Sequence, residues 1–385
     1  MRLTFVILWV TLLSLPIVQM IKPMALEPPV LENRTLHQLP DLNRAAMATP
    51  ITLMRNVSMW FNDNFGFRNT LIRLRTETNY RLGYSERLHL GPDGWLNYRD
   101  VIDTQKGRNA LLSDPQLTEF ADRFVALHDY LAKRDIDLLV VTVPQKDVIY
   151  PESLGRDAPH YPKPTAFTRM QDILTERFGA NHIAAEPILR NLRAQNIQAF
   201  HRTDFHWTDV AGGEVARAIV NRLADLEGAP SLRWIAPLTI EQIHWAGGES
   251  QQLPLFRYVT EDSIRTNEPW RDPAQGTFDW LGVDANFNPD FPLGHDFNWQ
   301  LAPGRSGLPA TVIVSNSYGE SFWRAGMNLH FQHLQAFRSK PWGDGTFFAS
   351  VLRRIAPGTK YFIIEFHEAE MVDAGRIKWS DVTAP

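Results

Sequence analysis

From Leu3 to Ile21 the chain is mostly apolar, with Arg2 before it and Lys22-Pro23 after it. Those nineteen residues would rise about 28 Å as a helix, close to the thickness of a bilayer core. A basic head before an apolar run predicts a signal-anchor over 1–25, with a cleaved signal cut near Met24-Ala25 as the alternative. Pro16 and Gln19 weaken a span without forbidding it. Residues 26–48 are polar and Pro-containing and predict a tether. Across Ile51, Met54, Val57, Phe61, Phe65, Leu71 and Leu74 the apolar positions then recur at helical spacing, with Gly66 as an interruption. This predicts one or two amphipathic helices within 49–90, packed on the main domain.

After Gly91-Pro92-Asp93-Gly94 the rhythm becomes that of alternating strands and helices. Helices are expected near 115–134, 165–178, 187–195, 208–226 and 319–328. Strands are expected at Ile136–Val143, near His182, at Ile197–His201, Ala310–Val314 and Tyr361–Phe366. Wholly apolar strands separated by helices imply a parallel sheet covered on both faces. The predicted fold of 91–385 is therefore a three-layer α/β/α sandwich with a mainly parallel sheet. In such sheets chemistry gathers at the carboxyl ends of the strands. Residues 257–306 carry Trp270, Trp280 and Trp299 among many Pro, Gly, Asp and Asn, and show no clear period. A long irregular stretch of this kind is often functional.

Composition narrows the picture only a little. The chain has 385 residues, a net charge of −4 and no cysteine. That excludes thiol catalysis, disulfides and Cys-ligated zinc. Without a Lys/Arg-rich run, nucleic acid is not an expected partner.

Chemistry concentrates in Thr203-Asp204-Phe205-His206-Trp207-Thr208, which follows a predicted strand and precedes a predicted helix. Residues two apart in an extended segment point the same way, so Asp204 can orient His206. About a hundred residues later, Val314-Ser315-Asn316-Ser317-Tyr318-Gly319-Glu320-Ser321 again lies between strand and helix. An acid, an imidazole and a hydroxyl at element ends are the parts of a nucleophilic acyl-transfer site. Ser317, the turn residue, is the candidate nucleophile; Ser315 and Ser321 compete for the role. His206 is the candidate base and Asp204 its partner. The bland alternative makes Asp204 a helix cap, but Thr208 can cap that helix. His201, Asp204 and His206 would also suit a metal, but no further ligand cluster accompanies them; neither a metal nor a cofactor is expected.

These pieces together resemble the alginate O-acetyltransferase AlgJ/AlgX family, whose domain is SGNH hydrolase-like. The resemblance rests on Thr203–Thr208, on Pro144-Gln145-Lys146 with Tyr150-Pro151, on Gly91–Leu96, on Phe65-Gly66-Phe67-Arg68, on Gly247-Gly248-Glu249-Ser250 and on the turn holding Ser317. It covers about 55–370, and size and layout look closer to AlgJ. The family order, Asp and His before Ser, is also the order here. Two positions depart from the pattern: Ser315-Asn316 stands where Gly-Thr or Gly-Asp is usual, and Glu249 where Asp is usual.

The resemblance implies a Ser317–His206–Asp204 triad moving acetyl through an acyl-serine to an exopolysaccharide hydroxyl. It further implies a membrane-bound O-acyltransferase as acetyl supplier and a bacterial periplasmic location, tethered to the inner membrane by the N-terminal segment. A carbohydrate acetyl esterase, or a non-catalytic polysaccharide-binding or assembly subunit, are the alternatives. Around the triad, Tyr318 and the Ser317 and Tyr318 amides are oxyanion candidates. Lys146 is a candidate contact for a uronate, phosphate or acetyl donor, or else a solvated strand-end lysine. Trp207 either stacks on sugar or walls the histidine. Trp323, Trp270, Trp280 and Trp299 are candidates for a glycan platform. Asn33 and Asn56 sit in Asn-x-Thr/Ser sequons.

Overall fold

The computed structural model describes residues 2–22, 30, 34–282, 294–339 and 345–371. Asn33 and the Met24-Ala25 cut site lie outside them, as does part of the expected tether. The chain divides into two compact units, Met1–Ser85 with Ser250–Tyr258, and Glu86–Glu249 with Val259–Pro385.

In the first unit, α1 (Arg2–Ile21) is long and apolar enough to cross a membrane. It is followed by α2 (Arg44–Met47), α3 (Pro50–Asn64) and α4 (Arg68–Arg81). The break between α3 and α4 falls at Gly66, as the spacing predicts, with Phe67 in the left-handed region at φ 63°. Ile51, Met54, Leu71 and Leu74 are exposed, and α3 buries no residue. The apolar period there marks helices without marking a buried face.

The second unit begins with β1 (Leu88–Leu90) and β2 (Leu96–Tyr98), an antiparallel pair. Asp93 and Gly94 turn between them with φ of 54° and 80°, a conformation cheap for glycine. Next come α5 (Lys106–Ala110), α6 (Asp114–Ala132), β3 (Asp137–Val143), α7 (Lys146–Ile149), α8 (Ala166–Phe178), β4 (His182–Ala184), α9 (Ala185–Ala194) and α10 (Asp209–Leu226). After β5 (Ile240–Trp245), α11 (Gly248–Gln251), β6 (Glu261–Thr266), β7 (Gly276–Leu281) and β8 (Asp296–Leu301) come β9 (Thr311–Ser315), α12 (Glu320–Arg324), β10 (His333–Arg338), α13 (Gly345–Arg353) and β11 (Tyr361–His367).

Seven strands form the main sheet in the order β4-β3-β11-β9-β10-β8-β7. From β4 to β10 all pairs are parallel; β8 and β7 add antiparallel. The sheet is thus mixed. Its register explains both layers. Leu139, Ile363 and Ile313 lie level across three strands and face one core with Leu189 of α9, Val215 and Ile219 of α10, and Phe322 of α12. One residue earlier, Leu138, Phe362 and Val312 face the other core, with Phe124 of α6, Met170 of α8 and Phe348 of α13. Alternate side chains of a strand point to opposite faces, so an all-apolar strand needs cover on both.

Three expectations need correction. Residues 257–306 contain β6, β7 and β8 rather than a structureless stretch; in the two antiparallel strands β7 and β8, polar Asp279, Asn298 and Gln300 alternate with the apolar positions and hide them. The strand β10 was missed because Gln335 sits within it, buried and bonded to Arg354 O and Asn298 Oδ1. The span 197–201 is no sheet strand. It makes one isolated bridge, Phe200 with Trp207, and side chains such as Gln198 and Thr208 satisfy its backbone in place of a ladder. Asp204 and His206 therefore sit on a tight connection between α9 and α10, whereas Ser317 does follow a strand end.

Candidate active site

The hexapeptide is a closed loop. His201 N–H donates to His206 O at 3.3 Å and Thr208 N–H to Ala199 O at 3.0 Å. Thr208 caps α10, its hydroxyl accepting from Ala211 N–H at 3.2 Å, so Asp204 is free of that duty. The neck of the loop is tied to Glu261, whose carboxylate accepts from Arg202 N–H, Thr203 N–H, Thr203 Oγ1 and Gln198 Nε2 at 2.7–2.9 Å. A buried carboxylate with four donors is well satisfied and rigid.

The tip of the loop carries Asp204 and His206. His206 Nδ1 lies 2.7 Å from Asp204 Oδ1, and the His206 N–H donates to the same oxygen at 2.9 Å. Gly248 N–H donates to the other oxygen at 2.5 Å. The approach is close: a Cβ on Gly247 would lie 2.6 Å from Asp204 Cβ and 2.5 Å from Thr203 O, which is why the Gly-Gly pair is needed there. Burial alone would raise the Asp204 carboxyl, but the His206 ring and the two amides outweigh it and hold the group well below its ordinary value. On the far side of the ring, His206 Nε2 lies 2.8 Å from Ser317 Oγ. The His206 side chain is 37% exposed and that of Asp204 12%, so the base opens to solvent while the acid is enclosed. With Nδ1–H held by a carboxylate, Nε2 is the nitrogen that can accept a proton from the serine.

The serine turn is built locally. Ser317–Gly319 form a single 3-10 turn between β9 and α12. Asn316 Oδ1 accepts from Tyr318 N–H at 2.8 Å, the same cap an Asp or Thr at this position would give. The Asn316 backbone N–H donates to Glu365 Oε2 at 3.1 Å and its Nδ2 to Glu370 Oε2 at 2.6 Å. Burial pushes Glu365 well above the usual carboxyl range, with nearby Glu370 adding to it. Gly319 lets Ser315 approach, since a Cβ there would meet Ser315 Oγ at 2.1 Å. Ser315 and Ser321 are buried; Ser321 Oγ donates to Tyr318 O at 2.7 Å and accepts from Trp207 Nε1 at 2.5 Å. Of the three serines, Ser317 alone is placed against the imidazole.

Several flanking expectations change. Tyr318 is buried; its hydroxyl donates to Phe205 O at 2.8 Å and its ring stacks on His367 at 4.5 Å. With its amide also engaged, Tyr318 packs rather than presenting donors. Lys146 is fully buried, its ammonium surrounded by Leu96 O, Asp204 O, His201 O and Glu249 Oε2, so it has no free face for an anionic substrate and is not a solvated lysine. Trp207 is a wall, buried and bonded to Tyr318 O at 3.0 Å. Trp323, Trp270 and Trp299 are buried, and Trp280 is half-buried, stacked on Phe278; core packing accounts for the first three. His201 turns to Ser263 Oγ at 2.7 Å, away from Asp204 and His206. A separate cleft of about 570 Å³, lined among others by Lys106, Asp147, Arg156, His160, Tyr161 and Lys163, does not include the three site residues.

Fold and site together define an SGNH hydrolase-like domain, and residues 88–236 match the family model described as "SGNH hydrolase-like domain, acetyltransferase AlgX". The chain is similar to proteins of the AlgJ/AlgX family. It is 28% identical over 245 residues to the probable alginate O-acetylase AlgJ of Pseudomonas syringae pv. tomato. That alignment spans 59% of this chain and 57% of the relative's length. Among solved structures, the O-acetyltransferase domain of Pseudomonas putida AlgJ is similar at a TM-score of 0.44 and 16% identity, covering 74% of this chain and 91% of that one. Pseudomonas aeruginosa AlgX gives 0.37 and 14%, covering 76% and 67%. The family match includes Asp204 and His206 and ends before Ser317.

Proposed function

We propose that this protein is an exported polysaccharide O-acetyltransferase that carries the acetyl group on Ser317. The carrying observation is the unbroken line from Asp204 through His206 to Ser317, at 2.7 and 2.8 Å. Ser317 Oγ attacks the acetyl carbonyl carbon of the donor while His206 Nε2 takes its proton. The donor's acyl bond breaks, and His206 returns the proton to the leaving atom. A sugar hydroxyl then attacks the acetyl-serine, giving its proton to His206, which protonates Ser317 as the ester leaves. Asp204 keeps the ring oriented and offsets its positive charge in both steps. The Ser317 amide opens the turn, where no earlier carbonyl of the turn can accept from it, and is the donor assigned to the oxyanion.

The similarity to AlgJ, a probable alginate O-acetylase, supports acetyl transfer to an alginate-like polymer, and α1 supports a signal or anchor leading to the periplasm. A membrane-bound O-acyltransferase is the proposed acetyl supplier. The test incubates full-length protein with an activated acetyl ester and follows intact mass. An acetyl adduct that maps to Ser317, and passes to oligosaccharide faster than to water, is expected. Release to water alone would favour an esterase. An adduct that persists in Ser317→Ala removes the nucleophile assignment. Oligosaccharide binding without any acetyl chemistry would point to an assembly subunit.

A further inference from the structure

The ammonium of Lys146 has three protons, and each has a close acceptor: Leu96 O at 2.5 Å, Asp204 O at 2.8 Å and Glu249 Oε2 at 3.0 Å. His201 O stands further off at 3.4 Å. Lys146 and Glu249 are both wholly buried. Such a pair is an expensive way to stabilise a fold, because desolvating two charges offsets most of their attraction. Its placement suggests another use. One acceptor is the backbone carbonyl of Asp204 itself. Another is Glu249, the residue after Gly248, whose N–H fixes the outer oxygen of the Asp204 carboxylate. A third, Leu96, accepts the ammonium through its O while its N–H donates to Arg202 O at 2.8 Å, just before the loop. The segments that fix where Asp204 sits, and how its carboxylate turns, thus converge on one nitrogen.

We propose that Lys146 and Glu249 are a positioning pair that holds Asp204 in the orientation His206 requires. Neither touches the reacting atoms. The inference rests on the acyl-transfer reading, but one of its readouts does not.

The experiment compares full-length wild type with Lys146→Met, Glu249→Gln and the double variant. Turnover of p-nitrophenyl acetate is measured, together with the proton NMR signal of the His206 ring N–H bonded to Asp204. Displacing a catalytic group by about 1 Å costs on the order of 100-fold, so kcat is expected to fall by about that factor in Lys146→Met, with KM within about twofold. The N–H signal is expected to move upfield or vanish through exchange. The double variant leaves no unpaired buried charge and is expected to regain thermal stability without regaining kcat. A folded Lys146→Met or double variant with wild-type kcat and an unshifted signal overturns the proposal, as does recovery of both stability and kcat in the double variant. If no variant folds, the pair is a folding element only and the proposal falls. If the wild type shows no Ser317-dependent turnover, the acyl-transfer reading fails, and the NMR signal still decides the role of the pair.

Discussion

The two halves of the site are held in opposite ways. The serine half is mainly local: Asn316 caps the turn and Ser321 closes it three residues on, while Glu365 and Glu370 reach in from the neighbouring strand and the turn after it, and Trp207 from the facing loop. The acid–base half is assembled from afar, by Leu96, Lys146, Gly248, Glu249 and Glu261, none of them within forty residues except through the fold. The turn needs only a rigid strand to stand on. The loop has no strand under it, so buried charge and backbone clamps supply the rigidity a sheet would have given.

That contrast can be broken at several points. The largest effect is expected at the junction: Ser317→Ala and His206→Ala each lower turnover by about 10³-fold or more, read with an activated acetyl ester. Asp204→Asn keeps the shape and disturbs the ring's tautomer, with an expected kcat loss of about 10²–10⁴-fold. Gly247→Ala tests the distant clamp. Its new Cβ would press on Thr203 O and Asp204 Cβ, and a loss of about 1–3 kcal/mol is expected in denaturant unfolding. On the local side, Asn316→Ala removes one cap, worth about 1 kcal/mol, and should change kcat far less than Asp204→Asn does. Equal losses would erase the distinction between the halves.

A further test lies in pH dependence, where two buried acids, Glu249 beside the loop and Asp204 within it, pull in opposite directions. Burial raises Glu249 from 4.5 to about 7; Lys146 opposes this, Asp204 adds to it and His206 opposes it. Its protonated form is favoured by folding, so its contribution is fully present below about 4.5 and is lost as pH rises through about 7. At about 1.4 kcal/mol per unit, that slope amounts to roughly 3 kcal/mol. Asp204 is held below its unfolded value of 3.8. Its contribution is present above that value and is lost as pH falls further. Melting curves from pH 4 to 8 should show wild type losing stability relative to Glu249→Gln as pH rises. Curves below pH 4 should show it losing stability relative to Asp204→Asn as pH falls. Parallel curves in either pair would remove the corresponding assignment.

Legibility followed the same divide. The strands β3, β9 and β11 were readable because residues facing both cores are apolar. The serine turn and the Asp-x-His pair were readable because each is written in consecutive residues. Lys146 and Glu249 were visible as motif positions, but their meaning was not: a lysine after a strand reads as solvated, and only the fold shows that three carbonyls and a carboxylate surround it. Glu365, His367 and Glu370 gave no signal at all, since they end an apolar strand far along the chain. The antiparallel strands β7 and β8 are hidden by their own polar faces, and 197–201 reads as a strand although it pairs only with the turn that follows it, through the single bridge of Phe200 and Trp207.

One further consequence follows from Trp207. Its indole N–H reaches across to Tyr318 O and Ser321 Oγ, so the neighbour of His206 is fastened to the neighbour of Ser317. Gly212 leaves room for this, since a Cβ there would collide with Ser321 Oγ at 1.9 Å and with the indole nitrogen at 2.9 Å. The spacing between His206 and Ser317 is thereby gauged by the residues beside them. Transplanting Asp204 and His206 alone onto another scaffold would leave this ruler behind, together with the Lys146, Gly248, Glu249 and Glu261 clamps that hold the loop.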